Sequence, residues 1–298
     1  MHIPDGFLTT PVWLTLDAAC VPAIGALARR AQRDTGESRA PMLGVLGAFV
    51  FAAQMINFPV GAGVSGHLVG GALLAATLGP AAAAIVMTAI LAVQALVFQD
   101  GGILVLGANV FNMAFAGVLA GHLPIRTFGL RPAAVFASGF LSMMVAASLA
   151  LAELMASGVR IPGAILAASL GVFTVTAAIE GAITLAVVQS LERLHPSWIR
   201  QTAGGSRAAG ALMIAAVLLA TAGALAASSL PDGLEHLAES LGIAGHARNL
   251  FTTPLADYET QFFGASWLRK ATAGLAGLAV IYFLGLAAAR FLTRRRSA

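Results

Sequence analysis

Charge is scarce in this chain. Only 10% of its 298 residues are Asp, Glu, Lys or Arg, and Lys270 is the single lysine. A soluble domain of this length carries far more polar surface, so a soluble globular fold is excluded. A lone cysteine, Cys20, excludes a disulfide framework within the chain. No Gly-x-x-x-x-Gly-Lys-Ser/Thr run occurs, which excludes ATP binding through a P-loop; the lack of His-Glu-x-x-His argues against a membrane zinc protease. No string of acidic residues threads the apolar stretches, so no proton relay is visible. The arginines lie between apolar runs, where they anchor topology, and nucleic acid is not an expected partner.

What remains is apolar: 58% of residues are hydrophobic and the mean hydropathy is +0.87. Glycine is abundant, with 33 copies, as expected where helices pack closely in lipid. The apolar runs predict about nine transmembrane helices, near 11–28, 42–58, 67–78, 81–98, 103–120, 132–152, 163–188, 211–227 and 272–289. Pro22 predicts a kink in the first.

Arg29, Arg30, Arg33 and Arg39 follow the first run, which puts that loop in the cytoplasm and residues 1–10 outside. The stretch 67–98, broken at Gly79-Pro80, decides the rest. Counted as one crossing, it leaves Arg126, Arg131, Arg193, Arg200 and Arg207 outside. Counted as two, it brings all of them inside, together with the tail Arg294-Arg295-Arg296. The third span is then short for a hydrocarbon core of about 30 Å. Such a crossing is tolerable only when other helices bury it or it opens on a polar cavity.

The expected fold is therefore an all-α integral membrane protein of the inner (plasma) membrane, N-terminus outside and C-terminus cytoplasmic. No signal peptide is expected, because the basic cluster follows the first apolar run. A polar, Gly-containing stretch over 192–209 separates a seven-helix unit, 1–200, from a two-helix unit, 201–298. The second unit encloses an external segment, 229–268. Within that segment Asp232 is placed to cap a short helix, with Glu235 as its reciprocal partner. Leu234, Leu237, Ala238 and Leu241 form the apolar face of that helix, and Gly242 ends it.

The chemistry concentrates at the start of the chain. The amine of Met1, the deprotonated amide nitrogen of His2 and the His2 Nδ1 can close two fused rings around one cation. Three nitrogens roughly in a plane suit Ni(II) or Cu(II) better than zinc. The competing reading is that His2 is a polar residue on a frayed end. His67, at the outer mouth of the short third span after Gly61-Ala-Gly-Val-Ser-Gly66, is expensive there unless paired or liganded. It can offer a fourth nitrogen. Metal entry would release protons, so binding should weaken as pH falls.

Ser65, Asn109 and Asn112 are candidates for holding a ligand or loop in place. Plain interhelical hydrogen bonding is the alternative for the two asparagines, as for Gln54, Asn57 and Asp17. Glu153 lies at a predicted membrane edge, and Glu180, inside the seventh span, must be neutral or paired. His122, His195, His236 and His246 read as loop residues.

MHIPDGFL at 1–8, GVSGHLVGGALLAATLGP at 63–80 and GANVFNMAFAG at 107–117 resemble the CbiM/NikM family. These are the metal-binding S components of energy-coupling-factor (ECF) importers of cobalt and nickel. The resemblance covers about residues 1–200. PDGLE at 231–235 and PLADYE at 254–259 resemble the small two-helix NikN-like component, so the chain looks like an M–N fusion.

The resemblance implies Met1, His2 and His67 as metal ligands, with Ni2+ or Co2+ as cargo and no resident cofactor. It implies a transmembrane T component and ATPase subunits as partners, and no enzymatic activity of the chain's own. The PDGLE-type unit and planar nitrogen ligation favour nickel; a cobalt importer component serving cobalamin synthesis is the alternative. An ATPase-independent permease and a membrane metalloenzyme are competing classes. Against the enzyme stands the lack of an acid/base carboxylate beside His67 in the sequence.

Overall fold

The computed structural model describes residues 1–34, 40–61, 63–194 and 206–293. Among these, seven helices are long and apolar enough to cross a membrane. They are α1 (Thr10–Asp34), α4 (Pro80–Phe98), α5 (Leu106–Phe128), α6 (Pro132–Ala156), α7 (Gly163–Leu194), α8 (Arg207–Ala226) and the helix that begins at Ser266. That last helix, α10, extends over Ser266–Thr293. Three shorter helices complete the set: α2 (Ala40–Gln54), α3 (Gly71–Leu78) and α9 (Gly233–Ser240).

The helix expected over 42–58 ends at Gln54, and the chain is not purely helical. An antiparallel hairpin, β1 (Phe58–Gly61) with β2 (Val64–Gly66), interrupts the expected all-α fold just before His67. Pro22 lies within an unbroken α1. Arg39, His195, Arg200, the linker core 195–205 and the tail arginines Arg294, Arg295 and Arg296 lie outside the described residues.

The short α3 is the centre of the packing. Its eight residues rise about 12 Å, well short of a hydrocarbon core of about 30 Å. Seven of them, among them Leu73, Leu74 and Leu78, are buried, as a polar-ended half-helix at depth requires. Gly79 at φ 81 ends it, and Pro80 opens α4 at a position that needs no amide donor. The backbone just ahead of α3 is held by a side chain: Glu180 of α7 accepts from Val69 N and Gly70 N, both at 2.8 Å.

The two units pack directly on each other. A Cβ on Gly285 of α10 would lie 2.5 Å from Gly44 Cα of α2, so only glycine allows this approach. Further along α10, the ring of Phe51 occupies the space that a Cβ on Gly277 would need. This packing carries the 227–265 segment, α9 included, across the end of the first unit where α3 begins.

Candidate metal centre

The start of the chain is not frayed. Pro4-Asp5-Gly6 bends it inward, and the buried Asp5 carboxylate accepts from Ile103 N, Leu104 N and Val105 N at 3.0, 2.8 and 3.3 Å. Asn109 pairs both ways with Ile3, accepting from its N at 2.8 Å and donating to its carbonyl at 3.0 Å. Gly102 N also donates to Ile3 O at 2.9 Å. A Cβ on Gly102 would sit 2.2 Å from Asp5 Oδ1, so no side chain fits there. Ile3 is fully buried, and Met1 and His2 retain 5% and 9% exposure.

His67 meets this terminus from the other side. Its Nδ1 donates to Leu68 O at 3.0 Å, which leaves the Nε2 lone pair free to accept. Nε2 lies 2.5 Å from Met1 N. Two nitrogens each about 2 Å from one small ion, at a right angle, are about 2.8 Å apart, so both can reach the same cation. The His2 and His67 rings are parallel within 6°, with centroids 5.5 Å apart.

Two carboxylates complete the arrangement. Asp232, at the head of α9, pairs through Oδ2 with the Met1 amine, and the same oxygen is 3.5 Å from His67 Nε2. Asp100, after the last turn of α4, holds His2 Nδ1 at 2.9 Å through Oδ1, while its Oδ2 accepts from the Tyr258 hydroxyl at 2.6 Å. His2 Nε2 is buried without a hydrogen-bond partner.

Burial penalises the His67 imidazolium, and the neighbouring amine adds to the penalty, so its pKa is lowered from 6.5 and the ring is neutral near pH 7. Burial works against the Asp232 carboxylate too, but the amine and His67 outweigh it and hold it well below the usual carboxylate range. Burial likewise opposes ionisation of Asp100, and His2 and Tyr258 more than offset it. Among the described residues no three His, Cys, Asp or Glu side chains gather as a metal site.

Residues 2–198 match the family described as the cobalt uptake substrate-specific transmembrane region, CbiM. The chain belongs to the CbiM/NikM family. Residues 206–294 match the PDGLE domain, so the CbiM region is fused to a NikN-like unit in a multi-pass protein of the inner membrane. A putative fused nickel transport protein NikMN of Archaeoglobus fulgidus is 33% identical over 98% of this chain and 99% of its own. The fused nickel transport protein NikMN of Rhodobacter capsulatus is 29% identical over 99% of both. A crystal structure described as a truncated transition metal transporter shares 34% identity at a TM-score of 0.57, covering 65% of this chain and all of that one.

Of the residues singled out from the CbiM region's sequence, Met1, His2 and His67 converge. Asn109 clamps the terminus through Ile3. Ser65 reaches the PDGLE domain, donating from N to Pro231 O at 2.9 Å and from Oγ to Leu230 O at 2.7 Å. Asn112 is bonded elsewhere, to Glu153 Oε2 at 2.9 Å. His2 Nδ1, the nitrogen expected to chelate, faces Asp100.

Sequence reasoning missed Asp100, and it read Asp232 as a helix cap only. It also found no carboxylate beside His67, where the structure puts Asp232. Glu180 proved to be a paired residue, holding the backbone that follows His67. The signals available were weak: one acid ahead of Gly101-Gly102 at a span end, and a cap whose second oxygen had no stated use.

Removing the Asp5 carboxylate as Asp5→Ala strips three backbone N–H groups of their acceptor. We expect a stability loss of about 2–3 kcal/mol and faster hydrogen–deuterium exchange over residues 1–8 and 101–105. Unchanged exchange in both segments would show that Asp5 does not hold the terminus in place.

Proposed function

We propose that the chain is the substrate-binding subunit of an ATP-driven importer of the energy-coupling-factor type, with Ni2+ as its cargo. Four nitrogens take the cation: the Met1 amine, the deprotonated His2 amide, His2 Nδ1 and His67 Nε2. The observation that carries this reading is the burial of Met1 N against His67 Nε2 at 2.5 Å. His2 Nδ1 joins the set by turning from Asp100 about its Cβ–Cγ bond, which closes the second chelate ring.

Relatives named as nickel transport proteins support transport as the activity; on this reading separate ATPase subunits and a membrane T component drive it, since the chain carries no P-loop. Nickel is favoured because a square of strong-field nitrogens suits a d8 ion. Cobalt is the second reading, supported by the family description matched over residues 2–198 and by a putative fused cobalt transport protein CbiMQ of Methanocorpusculum labreanum, 34% identical, of which the chain covers 36%.

The topology of this reading has nine crossings, N-terminus outside and C-terminus cytoplasmic. α2 and the half-helix α3 with its preceding loop supply the two crossings beyond the seven long helices. The seven-helix unit is 1–200 and the two-helix unit 201–298.

A two-residue extension ahead of Met1 keeps every side chain and carries the amine out of the site. Nickel affinity of the purified chain should fall at least about a hundredfold, with unchanged helicity, and His67→Ala should weaken it as well. Wild-type binding should also weaken as pH falls from 7.5, since protons compete for the amine and amide nitrogens. His67, its pKa already lowered from 6.5, adds to that loss only below 6.5. An extended chain that binds as tightly as the wild type contradicts the chelate.

In cells, radioactive nickel uptake should require the partner ATPase genes and should be lost when they are deleted. Undiminished uptake without them would instead mark an autonomous permease.

A further inference from the structure

Asp232 has more to do than cap a helix. Its Oδ1 accepts from Leu234 N at 2.8 Å and Glu235 N at 2.9 Å, and Asp232 N in turn donates to Glu235 Oε2 at 2.8 Å. One oxygen therefore completes the capping box. The other is left over, and it points into the site, on Met1 N and 3.5 Å from His67 Nε2. The carboxylate itself is buried, at 8% exposure for the residue.

The rotamer is fixed from both ends. The capping box holds the carboxylate from below, and Ser65 holds the chain just ahead of it through Leu230 O and Pro231 O. Gly233 packs against the ring of Phe173, which lies 2.6 Å from where a Cβ would be. Asp100 meets His2 Nδ1 through Oδ1 and accepts from the Tyr258 hydroxyl through Oδ2.

We propose that Asp232 Oδ2 is a fifth, apical donor to the cation bound by Met1, His2 and His67, so that the PDGLE domain takes part directly in metal capture. The inference rests on the chelate reading above. Two separations fit it: 2.5 Å between Met1 N and His67 Nε2, and 3.5 Å between His67 Nε2 and Asp232 Oδ2. Donors this close can share one ion at bonds of about 2.0–2.2 Å. With four nitrogens filling the plane, the oxygen is left the axial position, a tetragonal N,O set that Ni(II) and Cu(II) accept.

Charge gives the second argument. A divalent ion bound by one deprotonated amide and three neutral nitrogens keeps a net positive charge in a buried site. An uncompensated buried charge is costly, and the Asp232 carboxylate cancels it. Binding would also tie α9 of the second unit to the first unit through the ion itself.

Nickel K-edge X-ray absorption on the full chain in detergent tests this. The wild type should show five donors including one oxygen and lack the pre-edge feature of a square plane. Asp232→Asn, which retains a good helix cap, should gain that feature, drop to four donors and bind nickel about ten- to a hundredfold more weakly. Glu239→Gln removes a charge from the exposed side of α9, outside the capping box, and should keep the wild-type spectrum.

A square-planar wild-type spectrum, unaltered in Asp232→Asn, overturns the proposal and identifies Asp232 as the counter-ion of the amine alone. The wild-type spectrum decides the matter even if Asp232→Asn does not fold. Failure of the underlying reading looks different: His67→Ala would then bind nickel with the wild-type spectrum.

Discussion

The burial of a main-chain amine against a histidine nitrogen constrains everything around it. An amine with almost no water contact must be compensated. Here the compensation comes from three places at once: His67 Nε2, the Asp232 carboxylate and the folded loop 99–105 that fixes the residues just behind it. None of these lies near Met1 in sequence. The terminus is brought to them by Asp5 and Asn109, which satisfy its backbone as a strand partner would.

The half-helix α3 follows from the same constraint. The amides just ahead of a helix's first turn find no acceptor within the helix. Glu180 accepts from Val69 N and Gly70 N at the start of α3, and His67 stands on the non-helical backbone ahead of Gly71, facing the terminus. The cost is a helix too short to stand in lipid alone, and the surrounding helices bury it. Small residues allow that burial: Gly71 lies against Ser142, Gly121 against Ala72, and Gly139 against Gly181.

Much of this was legible in the sequence, and the rest was lost for physical reasons. Long apolar runs define helices because lipid permits few alternatives, and the spans from α4 onward fall close to where the runs predict them. The Met1-His2 pair and His67 stand out because each is anomalous against an apolar background. The Asp232–Glu235 box was readable from local spacing alone, and the structure forms it in full.

Long-range partners were not readable. Nothing local says that Glu180 bonds backbone 110 residues away, that Asp100 meets His2, or that Asn112 pairs with Glu153 rather than with the terminus. The hairpin at 58–66 escaped as well, since Gly-rich sequence carries little strand signal. The PDGLE sequence showed a helix start; only tertiary placement shows that its aspartate faces the Met1 amine.

The central claim is that a transported cation is held where Met1 N meets His67 Nε2. Anomalous diffraction from crystals soaked in nickel, recorded on both sides of the nickel edge, addresses it directly. The account predicts one strong peak within bonding distance of both nitrogens, with the terminus ordered as described. A peak elsewhere, with residues 1–3 disordered, would contradict it.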